Sequence, residues 1–476
     1  MYTLHWTVGF LSIALTLVTA GHALMFKRDP RASWGWIAVC LLFPLIGSLL
    51  YLLFGINRVQ TRAKRLTHRL PFFHPFTTDR PEIPLKAHPQ ADLAFEDRRI
   101  AAVSDKVARR PLVGGNRVEA LHNGEEAYPA MLEAIEGAKR YVYLATYILD
   151  SNRTGRQFVD ALARARHRGV EVRVLLDGIG ELYSFPRSGR LLKKQGVRVA
   201  RFLPPRLMPP SIHVNLRSHR KILVADGGIG FVGGMNIGDR HLAGAEDNPS
   251  RVVDLHFRVA GPVVGQIEEV FLEDWAFATG EDEAPDPGTP IPEGNAVCRA
   301  IVDGPGEDLD SLAMILVGAV SAAQRQVLIV TPYFLPSREM IGALQAAALR
   351  GIEVTVLLPS KNNLPFVHWA ARNMLWELLQ WGIRIYYQPP PFVHTKLFLV
   401  DGRYAQIGSA NLDPRSLRLN FELAVEVFDA EVAGDLAAHV FRCRNRSREI
   451  LLDEVDGRSF PAKLRDSMAW LFSPYL

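Results

Sequence analysis

His219-Arg-Lys221-Ile-Leu-Val-Ala-Asp226 and His394-Thr-Lys396-Leu-Phe-Leu-Val-Asp401 are one pattern occurring twice, 175 residues apart. After six further residues the first copy is followed by Gly233-Gly234-Met-Asn236 and the second by Gly408-Ser409-Ala-Asn411. A duplicated element directs attention to an internal repeat before any local reading. Upstream of each copy, matching segments run in the same order. Tyr141-Val-Tyr-Leu-Ala-Thr-Tyr-Ile-Leu149 corresponds to Gln326-Val-Leu-Ile-Val-Thr-Pro-Tyr-Phe-Leu335. Arg168-Gly-Val-Glu-Val-Arg-Val-Leu-Leu-Asp177 corresponds to Arg350-Gly-Ile-Glu-Val-Thr-Val-Leu-Leu-Pro359, and Gly196-Val-Arg-Val to Gly382-Ile-Arg-Ile. These short β-branched runs read as buried strands, and a helical stretch precedes the second member of each set. The alternation predicts an α/β fold of two tandem lobes, each a mixed β-sheet flanked by helices. The proline- and acid-rich segment between them reads as a linker. The expected boundaries are 111–280 for the first lobe, 281–297 for the acidic linker and 298–476 for the second lobe with C-terminal helices.

Residues two apart on a strand project from one face, so each His and Lys are expected to point into one space. The apolar run behind them belongs to the core, and a turn returns the glycine-rich segment and its Asn beside the His. Each lobe thus contributes an imidazole, an ammonium and an amide, the parts needed to grip and attack a phosphodiester. Two acids complete the candidate site. Asp254 lies 35 residues after His219, and Glu422 lies 28 after His394, at matching places in segments that read as strands. A carboxylate there can hold an imidazole's other nitrogen and fix its tautomer.

Residues 1–56 are of another kind. Thr3 to Phe26 carries no Lys, Arg, Asp or Glu, and a second uncharged run extends from Ala32 to Ile56. Each is about the ~20 residues that cross a bilayer as a helix, which predicts two transmembrane helices. No basic residue precedes the first run, which argues for a retained anchor over a cleaved signal. The basic juxtamembrane linker at 57–110, with Arg58, Arg62, Lys64, Arg65 and Arg69, places the rest of the chain on the cytoplasmic side by the positive-inside rule. The formal net charge of +5 suits an anionic partner without choosing between acidic lipid and nucleic acid. Three cysteines are too few for a disulfide framework. Aromatic and basic residues interleaved along one face, as single-stranded nucleic acid requires, are not evident, so no nucleic-acid partner is expected.

The paired HxKxxxxD motifs with GGxN and GSxN resemble the phospholipase D superfamily over nearly all of residues 111–430. The anchor segments Trp34-Gly-Trp36 and Phe43-Pro-Leu-Ile-Gly-Ser, with Gly233-Gly-Met-Asn-Ile-Gly238 and the ending Trp470-Leu-Phe-Ser-Pro-Tyr-Leu476, look like bacterial cardiolipin synthases. That resemblance implies a phosphatidyltransferase of the inner membrane. It would join two phosphatidylglycerols into cardiolipin and glycerol through a covalent phosphohistidine; a phospholipase D that hydrolyses or exchanges headgroups is the alternative. It implies His219 as nucleophile and His394 as acid/base. Lys221, Lys396, Asn236 and Asn411 would sit on the phosphate, supported by Gly233, Gly234, Gly408 and Ser409. Asp226 and Asp401 complete the catalytic motifs as braces. With lysines neutralising the phosphate, no metal and no cofactor is expected.

Overall fold

The computed structural model describes residues 2–27, 30–55, 93–205, 216–281, 291–304 and 310–473, and the chain divides into two units, Met1–Pro71 and Phe72–Leu476. The basic residues 58–69, most of the acidic linker, part of the Pro204–Pro210 loop and the last three residues lie outside that description.

In the first unit the helix Tyr2–Phe26 includes an 18-residue stretch, Gly9–Phe26, long and apolar enough to cross a bilayer. The second apolar run departs from the expected single span. It forms the helices Pro30–Leu42 and Pro44–Leu50 and ends in a π-helical turn, Tyr51–Gly55. Pro44 has no N–H to return to the preceding turn, and its ring drives Phe43 out of helical geometry, to φ −130° and ψ 72°. Among the described residues, therefore, one helix and not two has the length of a span. The broken run still packs on the first helix. Thr16 Oγ1 donates to the Pro44 carbonyl at 3.0 Å, Thr19 and Ser48 share a bond of 3.0 Å, and His22 Nδ1 lies 2.7 Å from the Tyr51 hydroxyl. Polar side chains in an apolar surround need such partners.

Among the described residues the first helix of the second unit is Phe95–Val107, inside the stretch read as a linker, and it packs on the helix Ser311–Ala322. The first lobe then contributes β1 (Val113–His122), β2 (Tyr141–Thr146), β3 (Glu171–Asp177), β4 (Arg198–Phe202), β5 (Ile222–Ala225), β6 (Ile229–Gly233), β7 (Val252–Val253) and β8 (Leu255–Ala260). The second contributes β9 (Ala296–Asp303), β10 (Gln326–Val330), β11 (Glu353–Pro359), β12 (Arg384–Gln388), β13 (Phe392–Val393), β14 (Leu397–Val400), β15 (Tyr404–Gly408), β16 (Glu422–Phe428) and β17 (Arg448–Ile450). Within each lobe two parallel pairs, β2–β3–β4 or β10–β11–β12, are extended by antiparallel strands.

The mixed sheets of the two lobes are joined edge to edge. β1 pairs antiparallel with β9, giving one sheet of 15 strands in the order β17-β12-β11-β10-β14-β15-β16-β9-β1-β8-β6-β5-β2-β3-β4. Each of those two strands would otherwise present an open edge. A bulge between Val113 and Asn116 interrupts the join, and Asn116 spans it by donating to the carbonyls of Val113 and Ala296. Each lobe keeps its own apolar core: Phe158, Leu162 and Val174 in the first, Ile329, Leu344 and Val356 in the second.

Candidate active site

β5 begins at Ile222 and β14 at Leu397, so both His-x-Lys triplets lie in the chain just ahead of their strands and not within them. What holds them is the opposite lobe. β13 pairs in parallel with β7, and His394 N donates to the Val253 carbonyl at 2.7 Å. In the mirrored place Ser218 bridges to Phe421, and His219 N donates to the Phe421 carbonyl at 2.9 Å. Each histidine is thereby stitched to the chain immediately before the other lobe's acid.

The acids consequently serve the histidines crosswise. His219 Nδ1 lies 3.0 Å from both carboxylate oxygens of Glu422, and His394 Nδ1 lies 2.9 Å from Asp254 Oδ2. Sequence spacing, which counts each acid from the histidine preceding it, does not show this exchange. With both Nδ1 atoms held, the Nε2 atoms are left for chemistry. Lys221 and Lys396 each donate Nζ to the carbonyl of the histidine two residues earlier, at 2.6 Å, and Lys396 Nζ also lies 3.1 Å from the His394 ring nitrogens.

The glycine-rich turns differ between the halves. Gly233 and Gly408 sit at φ 154° and 145°, where a side chain would strike His256 in the first case and the Leu423 carbonyl in the second. At the next position Ser409 donates to Glu422 Oε2 at 2.5 Å, whereas a methyl on Gly234 would meet Asp254 Oδ2 at 2.9 Å and Lys396 Nζ at 3.0 Å. Gly234→Ala is therefore expected to lower turnover by roughly a hundredfold, the effect of a displaced catalytic group, with little change in melting temperature. Ser409→Ala, which removes one hydrogen bond to a carboxylate, is expected to cost roughly tenfold. Steady-state kinetics beside thermal unfolding of the two variants checks both.

Asn236 Oδ1 accepts from Ile148 N at 3.2 Å, and Asn411 Nδ2 donates to Ser416 Oγ at 3.1 Å, so each amide is oriented by the wall of its own lobe. Asp226 and Asp401, grouped with the catalytic residues by motif, stand at the far ends of the β5–β6 and β14–β15 hairpins. Asp226 accepts the backbone N–H groups of Lys139, Arg140 and Tyr141, and Asp401 those of Gln324, Arg325 and Gln326. They lock the starts of β2 and β10 and take no place beside the imidazoles.

Several residues that the motif did not single out shape the site. Arg220, between the two motif residues, is fully buried. Its guanidinium donates to Asp274 Oδ1 at 2.6 Å and to the Glu422 carbonyl at 2.9 Å, tying the first motif to the second lobe. Asp177 accepts from Ser218 N at 3.0 Å and from Arg217 at 3.3 Å, setting the approach to His219. Tyr147 meets the His219 ring edge-on at 5.7 Å, and Tyr333 meets His394 likewise at 6.3 Å. The repeated Thr-Tyr and Thr-Pro-Tyr endings of the first strands were the available signal. His241, buried beside Asp254 and His394, has no hydrogen-bond partner at either ring nitrogen among the described residues. Arg415 acts electrostatically on Tyr147 and Tyr333, and Arg418 pairs with Asp310 at 2.9 Å.

Burial dominates the electrostatics. It lowers the pKa of His219, against the opposing pull of Glu422, and lowers His394 well below the usual value with help from Lys396 and Lys221. Burial also brings Lys221 down to about 7 and Lys396 to about 8. It raises Asp254, while Glu422 is held low by His219 and Lys221 despite its burial. Between those lysine values and 10.5 the unfolded chain binds more protons than the folded one, so this pair's contribution to stability rises with pH. Below about 7 both amines are charged in a desolvated space. Lys396→Met is accordingly expected to abolish turnover yet raise the melting temperature by roughly 2–4 °C at pH 6.5. The gain should fade towards pH 10.5, as thermal scans across that range would read.

Comparison with known proteins gives the family. The family described as cardiolipin synthase, PLD-like domain, matches residues 131–275 and 316–443, and the phospholipase D-nuclease N-terminal family matches residues 14–55. The cardiolipin synthase of Geobacillus kaustophilus is 31% identical over 98% of this chain and 94% of its own length. Cardiolipin synthase A of Pseudomonas entomophila is 32% identical over 100% and 99%. The major cardiolipin synthase ClsA of Bacillus subtilis is 31% identical over 94% and 95%. The phosphatidylserine synthase of Haemophilus influenzae Rd KW20 shares the fold, with a TM-score of 0.63 over 79% of this chain and 100% of that one, at 14% identity. With a family match in both lobes and relatives above 30% identity along nearly its whole length, this chain belongs to the cardiolipin synthase family of phospholipase D-like proteins.

Proposed function

We propose that this protein is a phosphatidyltransferase that condenses two phosphatidylglycerols into cardiolipin and glycerol. The observation that carries the reading is the crosswise pair of carboxylate-held imidazoles with two buried lysines between them. His219 Nε2 attacks phosphorus; the P–N bond forms as the P–O bond to glycerol breaks. His394 Nε2 delivers its proton to the departing oxygen. The hydroxyl of a second phosphatidylglycerol then gives its proton to His394, its oxygen attacks phosphorus, and the P–N bond breaks to restore His219. Lys221 and Lys396 stabilise the charge that builds on the non-bridging oxygens. An anionic phosphate between the lysines also raises their pKa values and that of His394, supplying the protonated acid that burial alone disfavours.

The apolar helix Tyr2–Phe26 supports attachment to the membrane that holds these lipids. We propose that the kinked run Pro30–Gly55 returns the chain to the same side and that the catalytic unit faces the cytoplasm. The test is mass spectrometry of lipids after incubating the purified full chain with phosphatidylglycerol in mixed micelles, beside His219→Ala. Cardiolipin and glycerol, absent in the variant, are expected. Phosphatidic acid without cardiolipin would make the protein a hydrolase and overturn the reading.

A further inference from the structure

The loops that follow β3 and β11 occupy equivalent places in the two lobes, and each reaches the tyrosine beside its own histidine. After β3, Tyr183 contacts Tyr147 with ring centroids 6.4 Å apart, and Tyr147 flanks His219. The same loop turns Leu182, Tyr183 and Phe185 to solvent, with Phe185 93% exposed. After β11, Asn363 accepts from the Tyr333 hydroxyl at 2.8 Å, and Tyr333 flanks His394. Three residues on, Phe366 opens the helix Pro365–Met374 and meets Phe472 at 5.7 Å, at the end of the helix Phe460–Leu471.

That last helix has a defined orientation. Asp466 is fully buried and holds Arg372 by two hydrogen bonds of 2.7 and 2.8 Å, and Ala469 is buried on the same side. The opposite stripe, Phe460, Leu464, Met468 and Leu471, recurs at helical spacing and faces outward, with Met468 56% and Leu471 68% exposed. Lys463 borders it on one side, exposed; on the other Arg465, also exposed, donates to Asp466 at 2.9 Å and lies over the Trp369 ring at 4.6 Å. An apolar stripe edged by cations is the pattern of a helix lying in the headgroup region of an anionic bilayer. Exposed apolar side chains thus stand on the loop that reaches Tyr147 and on the helix whose end meets Phe366, three residues beyond Asn363.

We propose that this rim, Leu182–Phe185 from the first lobe and the Phe460–Leu471 stripe from the second, seats the catalytic mouth in the surface of an anionic phospholipid bilayer. The seat is separate from the N-terminal helix and is the route by which lipid enters. The proposal rests on the lipid-transferase reading above: a substrate whose acyl chains stay in the bilayer reaches buried imidazoles only if the mouth meets that surface. Burying large apolar side chains at both edges would hold it there.

The test uses the full chain in phosphatidylglycerol-containing proteoliposomes, with Cys40, Cys298 and Cys443 replaced by serine. An environment-sensitive fluorophore is attached at Phe185→Cys, Met468→Cys or, as a control at the other end of the first-lobe sheet, Gln195→Cys. Positions 185 and 468 are expected to be quenched by nitroxide-bearing lipids and position 195 to report water. In parallel, Phe185→Ser combined with Leu471→Ser should lower turnover of bilayer phosphatidylglycerol by roughly tenfold or more, leaving that of a monomeric short-chain phosphatidylglycerol within about twofold. Probes at 185 and 468 that read water, or equal loss on both substrates, would overturn the proposal. The fluorescence does not depend on turnover, so failure of this inference is distinguishable from failure of the lipid-transferase reading.

Discussion

Replacing His219 with alanine is expected to lower phosphatidyl transfer by roughly a millionfold, the scale of removing a nucleophile, whereas His394→Ala should cost about 10² to 10⁴, the scale of an acid/base. The two differ in kind as well as size. Glu422 occupies Nδ1 of His219, so Nε2 is the atom available to phosphorus. With a substrate whose leaving group needs no proton, such as a p-nitrophenyl phosphatidyl ester, the His394 variant should recover its first step. It should then stall for want of a base to activate the acceptor. The expected observation is an acid-labile phosphatidyl adduct on the peptide containing His219, found by mass spectrometry, and no adduct in the His219 variant. An adduct on His394 in place of His219 would reverse the assigned roles.

The second large effect concerns the acids. Because Asp254 holds His394 and Glu422 holds His219, each acid should report on the step run by the opposite lobe's histidine. Glu422→Gln should slow formation of the adduct, and Asp254→Asn should leave formation from the p-nitrophenyl ester nearly intact while slowing its transfer to the acceptor. A loss of about 10² to 10⁴ in the affected step is expected from a misdirected tautomer. The sign of the accompanying pH shift follows from charge. Removing a carboxylate beside His394 lowers its pKa further, so the acidic limb of the transfer step, which needs the neutral imidazole, should move to lower pH. Stopped-flow release of p-nitrophenol followed by timed cardiolipin formation separates the two steps. Dependence of both steps on the acid that follows each histidine in sequence would contradict the crossed pairing.

The repeat, its strands and the chemical groups of the site were legible in the chain because they are local. A β-branched run of buried length specifies a strand wherever it lies, and the His and Lys ahead of each run were marked by their repeated spacing. The break in the second apolar run had a local signal in Pro44, which the reading of Ala32 to Ile56 as one span passed over: a proline at that point ends a helix for covalent reasons whatever surrounds it. Tertiary structure alone decided which acid meets which histidine. Spacing along the chain ties Asp254 to His219, but parallel pairing of β7 with β13, and of Ser218 with Phe421, carries each acid to the other lobe. The joining of two sheets through β1 and β9, the burial that depresses both lysines, and the orientation imposed on the last helix by Asp466 are of the same kind. Each depends on contacts between segments more than 80 residues apart in the chain. Short-range pattern specifies what an element is; only the packed chain specifies what it faces.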